Sequence, residues 1–176
     1  MPNADSRPET IPDEAGARAV LRHVAATLAY RAAKVLRDAP AGFSSREFGD
    51  STRRPVSIVA HMGDLMEWGL SLARGAHVWK PGGSDRWDVE VQRFFDGLAA
   101  LDRAFDGALP PGAAEKLVQG PLADALTHVG QLAMLRGMAG APIRPESYAR
   151  AEITRGRIGL DQTTPKAEFD GDASAR

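Results

Sequence analysis

Apolar residues recur at helical spacing in four stretches of the chain, separated by polar segments rich in Pro and Gly. Over 15–37, Val20, Leu21, Val24, Leu28, Ala32, Val35 and Leu36 mark one such stretch in an Ala-rich background. Pro12-Asp13-Glu14 precedes it as a helix start, with its acids against the positive end of the dipole. Asp38-Ala39-Pro40 ends it. A second helix is predicted over 55–73, because Pro55 suits a first turn, where its missing N–H costs nothing. Ile58, Val59, Met62, Leu65, Met66, Gly69, Leu70 and Leu72 lie on or near one face of it, and Gly75 is its stop. Ser84 or Asp85 caps a third helix over 87–109, striped by Val91, Phe94, Phe95, Leu98, Leu101 and Phe105. Pro110-Pro111-Gly112 breaks that helix. The last helical region starts near 113, is interrupted at Gly120-Pro121, and resumes to 139 before Gly140 and Pro142 stop it. Leu122, Leu126, Val129, Leu132, Ala133 and Met138 form its apolar side.

No stretch alternates as a strand ladder would, so the fold predicted is all-α, a four-helix bundle with loops of varied length. The connection 39–54 carries Phe43, which is expected to pack on the bundle. Residues 1–12 read as a loose tail and 13–145 as the helical domain. Residues 146–176 read as a mostly irregular, partly packed extension. Within it, 151–160 adds a short turn and 163–176 is extended or disordered.

With 176 residues and 43% hydrophobic content, one domain with a real core is expected. The net charge of −1 argues against nucleic acid or an anionic membrane as partner, since both demand a basic surface. Arg53 and Arg54 are too small a cluster to alter that. The absence of cysteine excludes disulfides, thiolate nucleophiles and Fe–S ligation, so any metal must be held by His, carboxylate or amide groups. Any thiol chemistry needs a thiol carried in by a substrate or cosubstrate. The polar, acidic N-terminus has no apolar signal segment, and no run of about 18 apolar residues exists, so a cytoplasmic location is the expectation.

Asp124 and His128, four residues apart, lie one turn from each other on a single helix face. Taken alone, the pair reads first as an ordinary contact in which Asp124 orients His128. His61 changes that reading. The chain has four His, and His61 and His128 fall inside its two most apolar helices. Were those helices neighbours, two imidazoles and one carboxylate would meet, leaving open positions for water or substrate. Such a set suits zinc, nickel, manganese or iron. Asp64 is either an acceptor for an imidazole N–H or a solvated residue. Trp68 walls a pocket or is plain core. Gln131 contacts a metal-held water or bonds across helices. Arg136 reads as a surface or helix-end charge able to meet an anionic substrate. His23 is expected to be partly exposed and His77 solvated in its loop. Tyr30 and Arg31 sit where the first helix can reach the cavity.

The segments RPVSIVAHMGDLMEW and PLADALTHVGQLAMLRGMAGAPI resemble the DinB/YfiT-like family. The first is similar to its arginine and proline before a His-bearing apolar helix. The second is similar to its H-x-G-Q-L segment with an L-R and G-x-P ending. The resemblance runs over roughly 15–145 in order and spacing, with these two motifs its specific part. It implies a four-helix bundle whose divalent metal is held by one His of helix two and an H-x-x-x-H pair of the last helix. His61 and His128 match those positions. Asp124 departs from the pattern by standing where the family has His. The resemblance further implies a small-molecule partner, here a low-molecular-weight cellular thiol passed to an electrophile by a metal-dependent transferase. Metal-assisted hydrolysis is an alternative. So is a non-enzymatic, stress-associated binding or dimerising bundle with a structural or vestigial site. Homodimerisation is a further implication, with Trp79 and Trp87 in or beside a loop. Phosphate loops, dinucleotide glycine fingerprints, G-x-S-x-G elbows and H-E-x-x-H pairs are absent.

Overall fold

Alanine is the strongest helix former, and a chain that mixes it with Leu and Val at helical spacing favours a helix with one apolar face. In the computed structural model, which describes residues 14–169, α1 spans Glu14–Leu36. Ala25, Ala29, Ala32 and Ala33 are buried around Leu21 and Leu28, and their small side chains let neighbouring helices approach closely. Val20, expected on this stripe, is 60% exposed. It lies about 100° round the helix from Leu21, off the face the alanines define.

Pro55 opens α2 as predicted, and the helix spans Pro55–Ala73. α3 spans Trp87–Ala104, ending short of the expected 109. The amide of Phe105 donates back to the carbonyls of Leu101 and Asp102, and Gly107 follows. Arg22 of α1 also bonds Asp102 and Asp106 there, tying the α3 terminus to the first helix.

The interruption expected at Gly120-Pro121 is a kink within Val118–Leu122, between a short α4 (Ala113–Leu117) and α5 (Ala123–Met138). Gly120 has non-helical torsions (φ −95°, ψ −105°), and Pro121 has no N–H to give the ladder. This kink packs on α2: a Cβ at Gly120 would lie 3.0 Å from the Trp68 ring, and one at Gly69 3.2 Å from Pro121. Asp124 lies two residues beyond it, in the first turn of α5.

The four long helices α1, α3, α2 and α5 form a ring in that order, so α2 and α5 are neighbours. Phe94, Leu98, Met62, Leu28 and Leu132 fill its centre. Phe43 is buried as predicted, meeting Phe48 and Trp87 edge-on. Among the described residues there is no strand, only an isolated bridge between Glu146 and Glu168. No described helix is long and apolar enough to cross a membrane.

Beyond the helices, a 3-10 turn at Tyr148–Arg150 belongs to a segment fastened to α1. Buried Glu146 accepts from the Tyr30 hydroxyl at 2.7 Å and from Lys34 Nζ at 2.8 Å, and Lys34 reaches Glu168 at 2.7 Å. Burial opposes the Lys34 charge, yet the bonds to Glu146 and Glu168 outweigh it and raise the amine's pKa. The Arg31 guanidinium lies 4.4 Å over the Tyr148 ring. Tyr30 and Arg31 thus hold the C-terminal segment, and neither lines the cavity beside His61 and His128. Ile158 and Gln162 are buried in it. The expected N-terminal tail, 1–12, and residues 170–176 lie outside the described residues.

Arg136 is not the surface charge expected from its position. It is buried and donates to the carbonyls of Val35, Arg37 and Asp38, and to that of Ala141. Those α1-end carbonyls have no intrahelical partner, and the guanidinium supplies it from another helix. Burial pushes its pKa down, with Asp38 opposing.

Candidate metal centre

Adjacent α2 and α5 carry His61 and His128 on facing sides, and the two rings meet edge to face at 4.9 Å. Asp124, one turn before His128, turns one oxygen to each imidazole. Its Oδ2 lies 3.6 Å from His61 Nε2 and its Oδ1 lies 3.4 Å from His128 Nε2. All three residues offer ligand atoms within 4.8 Å of one another. Donors bonded to one tetrahedral ion at 2.0–2.2 Å stand about 3.3–3.6 Å apart. Each imidazole stands at that spacing from one of the two Asp124 oxygens, so the carboxylate bridges the two rings.

Hydrogen bonding selects the same chemistry. His128 Nδ1 donates to Gln131 Oε1 at 2.8 Å, so Gln131 sits on the outer side of the ligand and not across a helix interface. With Nδ1 protonated, Nε2 of His128 presents a lone pair toward the Asp124 carboxylate. Burial chiefly, then the His128 and Arg53 charges, lowers the pKa of His61, while Asp124 and Asp64 work against the shift. His61 is therefore a neutral donor at neutral pH. Two imidazoles and a carboxylate thus bring ligand atoms within 4.8 Å of one another. A divalent ion fits this donor set.

Gln131 should matter through His128. Gln131→Ala is expected to weaken zinc binding roughly tenfold to a hundredfold, with the thermal midpoint of the zinc-free protein little changed. Competition with a chromogenic chelator measures the first and a thermal melt the second.

Asp64 does not accept from an imidazole, nor is it solvated. It is buried and takes bonds from Arg93 Nη1 at 2.9 Å and from the Gly82 amide at 3.0 Å. Arg93 of α3 also binds Glu67, Glu90 and the Ala60 carbonyl. Glu90, almost fully buried, receives the amide and hydroxyl of Ser84. Burial would raise the Glu90 pKa, but Arg93 and Ser84 bring it below the usual range. These groups clamp the 74–86 connection onto α2. Gly83, at φ +115°, sits so close that a Cβ would lie 2.8 Å from Ala60 Cβ. The clamped connection lays Trp79 edge-on against His61 at 5.6 Å.

Trp68 is one ring further away, edge-on to Trp79 and stacked on His77. It walls a separate recess of about 450 Å³ with His77, Lys116 and Gln119, and not the pocket of the three ligands. His77 is exposed, as expected, and His23 is exposed on α1.

His61, Asp124 and His128 open into a pocket of about 540 Å³. His128 is buried, whereas His61 and Asp124 are half-buried. The same pocket is lined by the exposed Ser51, Thr52 and Arg53 and by Met134 and Leu135 of α5. The sequence reading took Arg53 only as part of a small basic cluster and Trp79 only as a loop residue in connection with dimerisation. An arginine two residues before the proline that opens a His-bearing helix was the available signal. Compared with family models, with characterised proteins and with solved structures, the chain matches none.

Proposed function

We propose that the protein is a divalent-metal-binding bundle of the DinB/YfiT-like type that transfers a low-molecular-weight thiol to an electrophile. The observation that carries this reading is the convergence of His61, Asp124 and His128 at an open pocket, with Gln131 orienting His128. The usual histidine is replaced by Asp124, and the shorter side chain still spans both imidazoles. When bound, a divalent ion supplies Lewis-acid chemistry that lowers the pKa of a thiol or of water. The chain's own groups do the rest. Gln131 fixes the tautomer of His128, Trp79 covers an edge of His61, and the pocket admits the small molecule. Lacking cysteine, the protein takes its sulfur from the cosubstrate. For the homodimer of this type, Trp79 is 45% exposed and free to pair, while Trp87 is packed on Phe43.

A second reading has its own observation. Asp124 already lies within ion-pair distance of both imidazoles, an arrangement that joins α2 to α5 without a metal once a histidine is protonated. One experiment separates the two. The full chain, loaded with zinc, nickel, manganese or iron, is offered a panel of cellular thiols and monochlorobimane. Sulfur–carbon bond formation with loss of chloride and the thiol proton, abolished by chelator, is the expected result. No metal uptake, or uptake with no conjugation above the uncatalysed rate for any thiol, sinks the transferase.

A further inference from the structure

The twin arginines before α2 have different fates. Arg54 pairs with Asp85 at 3.3 Å on the surface. Arg53, exposed at the pocket mouth, lines the pocket and acts on His61 as a nearby charge, and no described carboxylate pairs with it. Its turn is held in place: the Thr52 amide donates to the Gly49 carbonyl, and the Val56 amide to that of Ser44. Ser51 and Thr52 bring two hydroxyls to the same wall.

Charge decides what such a wall is for. Among the residues lining this pocket, Arg53 and Asp124 are the formal charges, and they cancel when both histidines are neutral. Asp64, the other acid near His61, faces a different recess and is taken up by Arg93. A divalent ion at the triad brings the pocket to a net charge of about +2. A neutral ligand leaves that uncompensated and a monoanion halves it. A ligand with two anionic groups neutralises it, one group at the triad and the other at the Arg53 guanidinium of the same pocket. Arginine's planar fork suits a carboxylate there, and the hydroxyls of Ser51 and Thr52 can add donors.

We propose that Arg53 is a specificity residue, binding the carboxylate of a two-anion ligand whose other donor, a thiolate in the reading above, faces His61, Asp124 and His128. This rests on the metal-site reading and narrows its substrate to thiols bearing a carboxylate. The test is calorimetric titration of the zinc-loaded full chain, at fixed ionic strength, with 3-mercaptopropionate and with 2-mercaptoethanol. The carboxylate-bearing thiol is expected to bind roughly tenfold to a hundredfold more tightly. Arg53→Gln removes that preference, while Arg54→Gln retains it. Equal affinities in the unaltered chain, or a preference that survives Arg53→Gln, overturns the assignment and leaves the metal site standing. Failure of the chain to take up zinc overturns both, and the zinc titration made first identifies that case.

Discussion

His128→Ala is expected to lower zinc affinity by more than about a hundredfold, so that the variant leaves dialysis essentially metal-free. Removing only an outer hydrogen-bond partner of a ligand already costs tenfold to a hundredfold, and removing a ligand costs more. His128 is chosen because it is the most buried of the three and the only one with its tautomer fixed. A half-exposed carboxylate such as Asp124 is more readily replaced by water, so Asp124→Ala should lose less. Asp124→His tests the family pattern directly, because it restores the H-x-x-x-H pair, and it should keep metal. Metal content by elemental analysis is the readout, with the melt of the chelated proteins as the control for folding. A His128→Ala protein that retains stoichiometric zinc would remove the basis of the proposed site.

How this site could be anticipated follows from periodicity. Apolar spacing put His61 and His128 inside two helices, and scarcity of His singled them out. The sequence could not say that α2 and α5 are neighbours in the ring, which is what brings the rings to 4.9 Å. Gln131 was visible at i+3 from His128, yet its role depended on which way the imidazole faced. The Arg93 clamp was invisible for a different reason. Asp64, Glu67, Glu90 and Arg93 lie on two helices, and only the register between α2 and α3 makes one guanidinium serve three carboxylates. On α3 alone only the i,i+3 pair of Glu90 and Arg93 is legible, and Asp64 and Glu67 read as solvated charges on α2. Trp79 is placed by that clamp, so its contact with His61 was equally hidden. The short end of α3 coincides with the Arg22 bonds to Asp102 and Asp106, contacts between helices that the sequence of α3 alone does not show.

Arg136 is the clearest case of a charge whose meaning lies wholly in tertiary structure, and it carries the largest expected effect on folding. Arg136→Met keeps most of the side chain's length and apolar stem while deleting every donor. The carbonyls of Val35, Arg37, Asp38 and Ala141 would lose this partner at a place where water has little access. Hydrogen bonds to charged groups are individually worth more than neutral ones, and stranding buried polar groups adds a desolvation cost. A loss of about 3–5 kcal/mol is expected, comparable to breaking a buried ion pair. For a chain of this size that is a fall of roughly 6–20 °C in the thermal midpoint. Arg136→Lys should recover only part, because an ammonium cannot fork toward carbonyls on both sides as the planar guanidinium does. Far-ultraviolet melts of the metal-free proteins measure both variants. A midpoint within about 2 °C of the unaltered chain for Arg136→Met would show that water replaces the guanidinium at the end of α1.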